Sequence, residues 1–300
     1  MVRLATAFSP CSITGFFRIF DQTLDPLRAG STGASVAIGN GVNTSISLKR
    51  SSVSRVAAEF NRIPLAKTST SCLVAEKYTE MHGGNWNIKV SHASKLPMGC
   101  GYGTSGAGAL GLSLALNEAI GLGLSRIEAA QVSHVCEVVR KTGLGTVASA
   151  LSGGISIRKE PGAPGVGKIL KMSAPASTRV VSAAFGPLST ARVLRNSLLR
   201  TRVDRCAKGL TDKLERGRSH KNFMTFSRRF SDCLGLSSHR LSKIITDLES
   251  GGFMTSMMML GESLFGLFPL EEASELRKVL TAEHFPSVVS TISRSGAQLT

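Results

Sequence analysis

Acidic side chains are scarce in this 300-residue sequence: 20 Asp and Glu face 36 Lys and Arg, for a formal charge of +16. Such a surface attracts anions, whether nucleic acid, anionic lipid or phosphorylated and carboxylated small molecules. Aromatics are scarcer still, at 5%, with one Trp and two Tyr. A platform that stacks nucleic-acid bases needs exposed rings among its basic residues. The basic run from Arg192 to Arg229 offers only Phe223, Phe226 and Phe230. Their helix-like spacing suits a buried stripe beside a solvated basic face, with Asp204, Asp212 and Glu215 as local partners. No nucleic-acid partner is therefore expected.

Other absences narrow the field further. The six cysteines (Cys11, Cys72, Cys100, Cys136, Cys206 and Cys233) include no Cys-x-x-Cys pair. The expectation is neither a zinc site nor a disulfide framework, in a reducing cytoplasm. The opening Met-Val-Arg-Leu-Ala-Thr leads into no apolar stretch suited to export. Met98 to Leu116 is uncharged and close to membrane-spanning length, but six glycines crowd it and Asn117 and Glu118 follow at once. That reads as a loop and helix, not a membrane span. No internal repeat is visible.

Hydrophobic residues make up 42% of the chain and glycine accounts for 31 positions. A core of Val, Leu, Ile, Ala and Met follows, large enough for one big unit or two medium ones. In the first half, 13–17, 34–38, 44–48, 87–91 and 154–158 read as strands, with Gly39-Asn40-Gly41 as a turn between the second and third. Helices are expected from Ser105 to Ile120 and from Ser125 to about Lys141. Ser125 and Glu128 form a capping box and Gly143 acts as the stop. Pro161 to Gly167 is the clearest break, either a tight turn or the approach to a domain boundary. Beyond it, strands near 169–172 and 179–184 lead to helices around 190–216, 220–234, 238–249 and 256–267. Mixed strands and helices followed mainly by helices point to an α+β protein with two lobes.

The strongest local signal is Pro97-Met98-Gly99-Cys100-Gly101-Tyr102-Gly103-Thr104-Ser105-Gly106-Ala107, between a strand and a helix. Glycines let the backbone approach an anion closely, and a helix beginning at Thr104–Ser105 would aim its free N–H groups there. Hydroxyls at that start can bond phosphate or ligate Mg²⁺. Gly-Lys-[Ser/Thr] is absent, so this is no Walker loop, and the Rossmann spacing does not fit. On composition alone, a Gly-rich connection that merely permits tight packing stays open.

That segment resembles the second motif of the GHMP kinases, the superfamily of galactokinase, homoserine kinase and mevalonate kinase. Further signatures extend the resemblance over most of the chain, towards the branch of archaeal pantoate kinases. They are Ser9 to Phe17, Gly30-Ser31-Thr32-Gly33-Ala34, Thr142-Gly143-Leu144-Gly145 with Gly153-Gly154 and Arg158, and Gly251 to Phe265. The resemblance implies a ribosomal-S5-like N-terminal lobe over 1–165 and a smaller, helix-rich α+β lobe over 166–300, with ATP between them. It also implies phosphorylation of the 4-hydroxyl of pantoate. Phosphoryl transfer rests on positioning and charge neutralisation.

The residues then take expected roles. Pro97, Gly99, Gly101, Gly103, Thr104, Ser105, Gly106 and Ala107 would cradle the nucleotide. Ser105 and Glu137 would hold Mg²⁺, a cation that demands oxygen ligands. Ser31, His134 and Arg158 would bind the acceptor, Arg158 gripping its carboxylate in two-pronged fashion. Gly251 and Gly252 would wall the nucleotide cleft. Two positions depart from the family pattern. Thr146 stands where many relatives carry Asp, and Cys11-Ser12 replaces a frequent Gly-His. Threonine removes no proton at neutral pH, but Thr146 could orient the acceptor hydroxyl. The sequence leaves open whether the chain pairs as a homodimer.

Overall fold

The structure, a computed structural model, describes residues 2–300. Its first half runs β1 (Val2–Phe20), β2 (Gly30–Arg50), β3 (Arg55–Phe60), β4 (Ile63–Pro64), α1 (Thr70–His82), β5 (Trp86–Ala93), α2 (Thr104–Ile120), α3 (Arg126–Arg140), α4 (Thr146–Ser152), β6 (Ile155–Arg158) and β7 (Ile169–Met172). The second half continues with β8 (Arg179–Pro187), α5 (Thr190–Arg195), α6 (Ser197–Ala207), α7 (Leu210–Arg216), α8 (His220–Leu234), α9 (His239–Ser250), β9 (Ser256–Met257), β10 (Gly261–Phe268), α10 (Leu270–Ala282), β11 (Ser287–Thr291) and β12 (Gln298–Leu299).

One sheet follows the order β12-β1-β2-β5-β3-β4, with β6 and β7 added beside β2; the other follows β11-β8-β10-β9. Two apolar cores result. One lies between the larger sheet and α1, α2 and α3, around Trp86, Tyr78 and Leu112. The other joins the central part of β1 and β2 to the C-terminal elements, around Phe16, Phe223, Phe230 and Phe265. This is the expected α+β architecture.

Several local expectations hold. Ser125 and Glu128 form both bonds of a capping box at the start of α3. The helix ends one turn before Gly143, with Lys141 in the left-handed region at φ 57°. Pro161 to Gly167 is a turn within the larger sheet, since β7 pairs antiparallel with β6. Phe223 and Phe230 are buried as expected, but Asp204, Asp212 and Glu215 pair outside the basic run, with Arg18 and Lys159, while Arg200 pairs with Asp21 and Arg228 with Asp232 and Glu249. Among the described residues no helix is long and apolar enough to cross a membrane.

Four expectations need correction. First, Gly39-Asn40-Gly41 is not a hairpin turn. β2 runs straight through, with Cys11 opposite Ile38 and Pro10 opposite Gly41, so Gly39 and Asn40 bulge out. The bulge receives the end of β11: Asn40 Oδ1 accepts from Ser290 Oγ at 2.6 Å, and a Cβ on Gly39 would stand 2.4 Å from Thr291 Oγ1. Second, 256–267 is not helical but forms β9 and β10. An apolar run buried on both faces has no period by which strand and helix can be told apart. Third, Cys206 and Cys233 form a disulfide between α6 and α8. They lie 27 residues apart, and only the packing of the two helices brings their Cα atoms to 5.7 Å. Fourth, α1, α10 and β11 lie in segments where no element was expected.

Candidate active site

The glycine loop joins β5 to α2. Gly99, Gly101 and Gly103 adopt φ of 74°, 84° and 67°, a region that side chains with a Cβ rarely enter. Gly103 is the N-cap of α2 and no side chain caps the helix, so its first N–H groups open into the cleft. Close approach demands glycine here as well: a Cβ on Gly103 would stand 2.5 Å from Thr146 Cγ2 and 3.0 Å from Ser12 O. The C-terminal half braces the loop. Leu188 N donates to Gly99 O at 2.9 Å, and a Cβ on Gly261 would fall 2.2 Å from the Cys100 carbonyl carbon.

The cleft beside the loop has a volume of about 130 Å³. Gly99, Gly101, Gly103, Thr104 and Ser105 line it, and Ser31, Thr146 and Arg158 do so from the facing elements. Of the expected cradle, Pro97 is exposed outside the cleft, while Gly106 and Ala107 are buried beneath it. Gly251 and Gly252 end α9 and do not line the cleft; Thr190, Met259 and Leu260 form its C-terminal side.

Glu137 is buried in the last turn of α3, at 2% exposure. Ser105 Oγ donates to its Oε1 at 2.7 Å, and Thr142 Oγ1 donates to the same oxygen at 2.6 Å. Thr142 is tied in turn to Thr70 Oγ1 at 2.9 Å, at the start of α1. Burial raises the Glu137 pKa, opposed by the bonds from Thr142 and Ser105. Among the described residues no cation pairs with this carboxylate. Buried charges are normally paired or coordinate metals. A hydroxyl and an unpaired carboxylate this close, beside an amide cradle, match the hard oxygen donors that Mg²⁺ takes alongside substrate phosphates. Two glycines make room for the carboxylate: Cβ atoms on Gly143 and Gly106 would stand 2.2 Å and 2.9 Å from Oε2.

Arg158 ends β6 and is 3% exposed. Its guanidinium bonds the hydroxyls of Ser35 and Ser149, while Nε has no partner among the described residues. Burial lowers its pKa to about 10, which leaves it a cation at neutral pH. A Cβ on Gly145 would stand 2.6 Å from both Arg158 Nε and Ser31 Oγ, so Ser31 and Arg158 converge on one spot that only a glycine leaves open. His134 is not brought there. It is buried below the cleft, where its Nε2–H donates to Ala29 O at 2.9 Å. Burial lowers its pKa, against the opposing carbonyls of Ala29 and Pro26. It thus supports the segment leading into Ser31 from behind. Thr142 and Ser12 are cleft residues to which sequence reasoning gave no role; the Thr142-Gly143-Leu144-Gly145 signature was the available pointer to the first.

Comparison with known proteins gives a consistent picture. Residues 67–154 match the GHMP kinases N terminal domain. A pantoate kinase of Thermococcus kodakarensis is 33% identical over 96% of each chain. One from Methanocaldococcus jannaschii is 28% identical over 91% of this chain and 96% of its own. Among solved structures, a phosphotransferase related to the CoA biosynthesis pathway superposes with a TM-score of 0.89 at 30% identity, covering 99% of this chain and 98% of the other. A homoserine kinase from Cytophaga hutchinsonii shares the fold at 16% identity and a TM-score of 0.68, covering 99% and 97%.

Proposed function

Because the chain belongs to the GHMP kinases, and within them to the pantoate kinase family, we propose that it transfers the γ-phosphoryl group of ATP to the 4-hydroxyl of pantoate, a step of coenzyme A biosynthesis. The observation that carries this reading is the Ser105–Glu137 oxygen pair at the mouth of the glycine loop. The loop amides and the N-terminus of α2 receive the triphosphate. Ser105 Oγ and the Glu137 carboxylate would hold Mg²⁺, which when bound neutralises charge on the β- and γ-phosphate oxygens. Arg158 and Ser31 grip the pantoate carboxylate at the space beside Gly145.

Thr146 packs against Gly103 and Gly106, close to the reacting end of the cleft. Its hydroxyl orients the acceptor hydroxyl rather than deprotonating it. Proton loss late in the transfer, as the phosphoryl group bonds to the acceptor, suits a site with no base at this position. His134 serves the acceptor site through the 26–31 segment, without touching substrate. The N-terminal lobe spans 1–165 extended by β7 and by β12, which returns to pair with β1, the remainder forming the C-terminal lobe, and the reaction belongs to the cytoplasm.

The decisive experiment incubates the protein with ATP and Mg²⁺ against pantoate, homoserine, shikimate and mevalonate, following ADP release. Turnover with pantoate is expected. ADP release only with another acceptor would make the chain a GHMP kinase of different substrate, the reading that Thr146 in place of Asp favours. No turnover with any acceptor, together with salt-dependent nucleic-acid binding, would make it a silent basic binding protein.

A further inference from the structure

Ser12 sits where the phosphate cradle meets the acceptor clamp. Along β1, Cys11 and Ile13 point into the apolar core, while Ser12 and Thr14 lie on the alternate face and line the cleft. Thr14 Oγ1 lies 3.0 Å from Ser35 Oγ, the hydroxyl that the Arg158 guanidinium bonds. Ser12 is therefore one step along the strand from the acceptor network. On its other flank, Ser12 N donates to Tyr102 O at 3.0 Å, and Gly103 approaches the Ser12 carbonyl closely.

Ser12 is 2% exposed and its Oγ has no hydrogen-bond partner among the described residues. Buried hydroxyls are almost always bonded, so an orphan one in the wall of a cleft calls for a ligand. Arg158 Nε is a second buried orphan in the same wall. Among the described residues that line the cleft, Arg158 is the one cation, and it stands on the acceptor side. Charge on a phosphoryl group in transit must then be met by neutral donors close to the loop, besides any metal.

We propose that Ser12 is a catalytic residue whose hydroxyl donates a hydrogen bond to a non-bridging oxygen of the phosphoryl group as it passes from ATP to the acceptor. This rests on the kinase reading above. In the step, the acceptor oxygen forms a bond to the γ-phosphorus and the bond to the β,γ-bridging oxygen breaks. ADP leaves with that electron pair, and the acceptor proton passes to solvent. Ser12 keeps its own proton throughout. A donor placed to meet that oxygen only when the group is in transit, and not in bound ATP, lowers the barrier without tightening ground-state binding.

Steady-state kinetics of the full chain with ATP, Mg²⁺ and pantoate test this in Ser12→Ala and the near-isosteric Ser12→Cys, alongside their thermal unfolding. Ser12→Ala should lower kcat about a hundredfold, the scale of losing one preorganised donor. The KM values for ATP and pantoate should stay within about twofold, and Tm should not fall, since the lost hydroxyl had no partner. Ser12→Cys, a weak donor, should give an intermediate kcat. A kcat for Ser12→Ala within about twofold of the parent would overturn the proposal, as would a loss confined to KM or one explained by unfolding. If the parent turns over another acceptor but not pantoate, the substrate assignment fails and the same comparison is made with that acceptor. A parent inactive with every acceptor overturns both readings.

Discussion

Ser105 and Glu137, 32 residues apart in sequence, share a hydrogen bond of 2.7 Å at the point where the glycine loop becomes α2. The helix start supplies a hydroxyl, and the buried last turn of α3 supplies a carboxylate with no positive partner among the described residues. Glu137→Gln should lower kcat about a hundredfold to a thousandfold, comparable with losing a major electrostatic contact. Ser105→Ala should fall in the same range. Burial disfavours the Glu137 anion, so Glu137→Gln should unfold at the same temperature or higher without Mg²⁺. Near-parental turnover in both variants would show the metal to be held elsewhere.

Gly143 offers a steric test of the same carboxylate. Its φ is not in the left-handed region, so the backbone there tolerates alanine. The added Cβ, however, would fall 2.2 Å from Glu137 Oε2. Gly143→Ala should cost about 1–3 kcal/mol of stability by overpacking, while activity falls at least tenfold and the Mg²⁺ concentration for half-maximal rate rises. Parental kinetics with lowered stability alone would mean that the carboxylate's position is unimportant.

For Arg158, truncation to alanine removes the proposed carboxylate grip and strips Ser35 and Ser149 of their donor. The KM for pantoate should rise by about tenfold or more, with the KM for ATP nearly unchanged. Arg158→Lys should recover only part of the loss, because an ammonium lacks the planar fork. Equal effects on both substrates would place Arg158 outside the acceptor site.

His92 governs stability rather than chemistry. It is buried between Thr44 and Ser71, with 2.9 Å contacts at Nδ1 and Nε2, and burial lowers its pKa from 6.5 to about 4. The unfolded chain takes up this proton as pH falls below 6.5, whereas the folded chain resists until about 4. The His92 contribution is therefore full above pH 6.5 and is lost between 6.5 and 4, amounting to about 3 kcal/mol at the acid end. His134, also held below its ordinary value, acts with the same sign. Urea unfolding at several pH values should show a shallower decline for His92→Gln than for the parent. Identical slopes would refute the assignment.

Much of the site was legible from local pattern. The glycine loop, the helix after it and the Ser125–Glu128 cap are specified by neighbours within a few residues, and each appears where expected. The misreadings share a cause. Gly39-Asn40 looks like a turn locally, but pairing with β1 on both sides extends the strand through it. Residues 256–267 carry no usable period because both faces of β10 are buried. His134 matches a family position that should meet substrate, yet the packing of α3 turns it to the Ala29 carbonyl.

The sequence by itself determined the glycine loop, since left-handed glycines and an uncapped helix start are properties of a short run of residues. It also determined the α+β class, through periodicity and punctuation. Tertiary structure alone decided which side chains share the cleft. Arg158 of β6, Ser12 of β1 and Thr142 of the loop after α3 line it, while the Glu137 carboxylate of α3 and Thr70 of α1 lie behind that wall. Their meeting depends on sheet order and helix packing, which no local pattern encodes. Burial, which raises the Glu137 pKa and encloses the Ser12 hydroxyl, likewise exists only once the chain has closed around them.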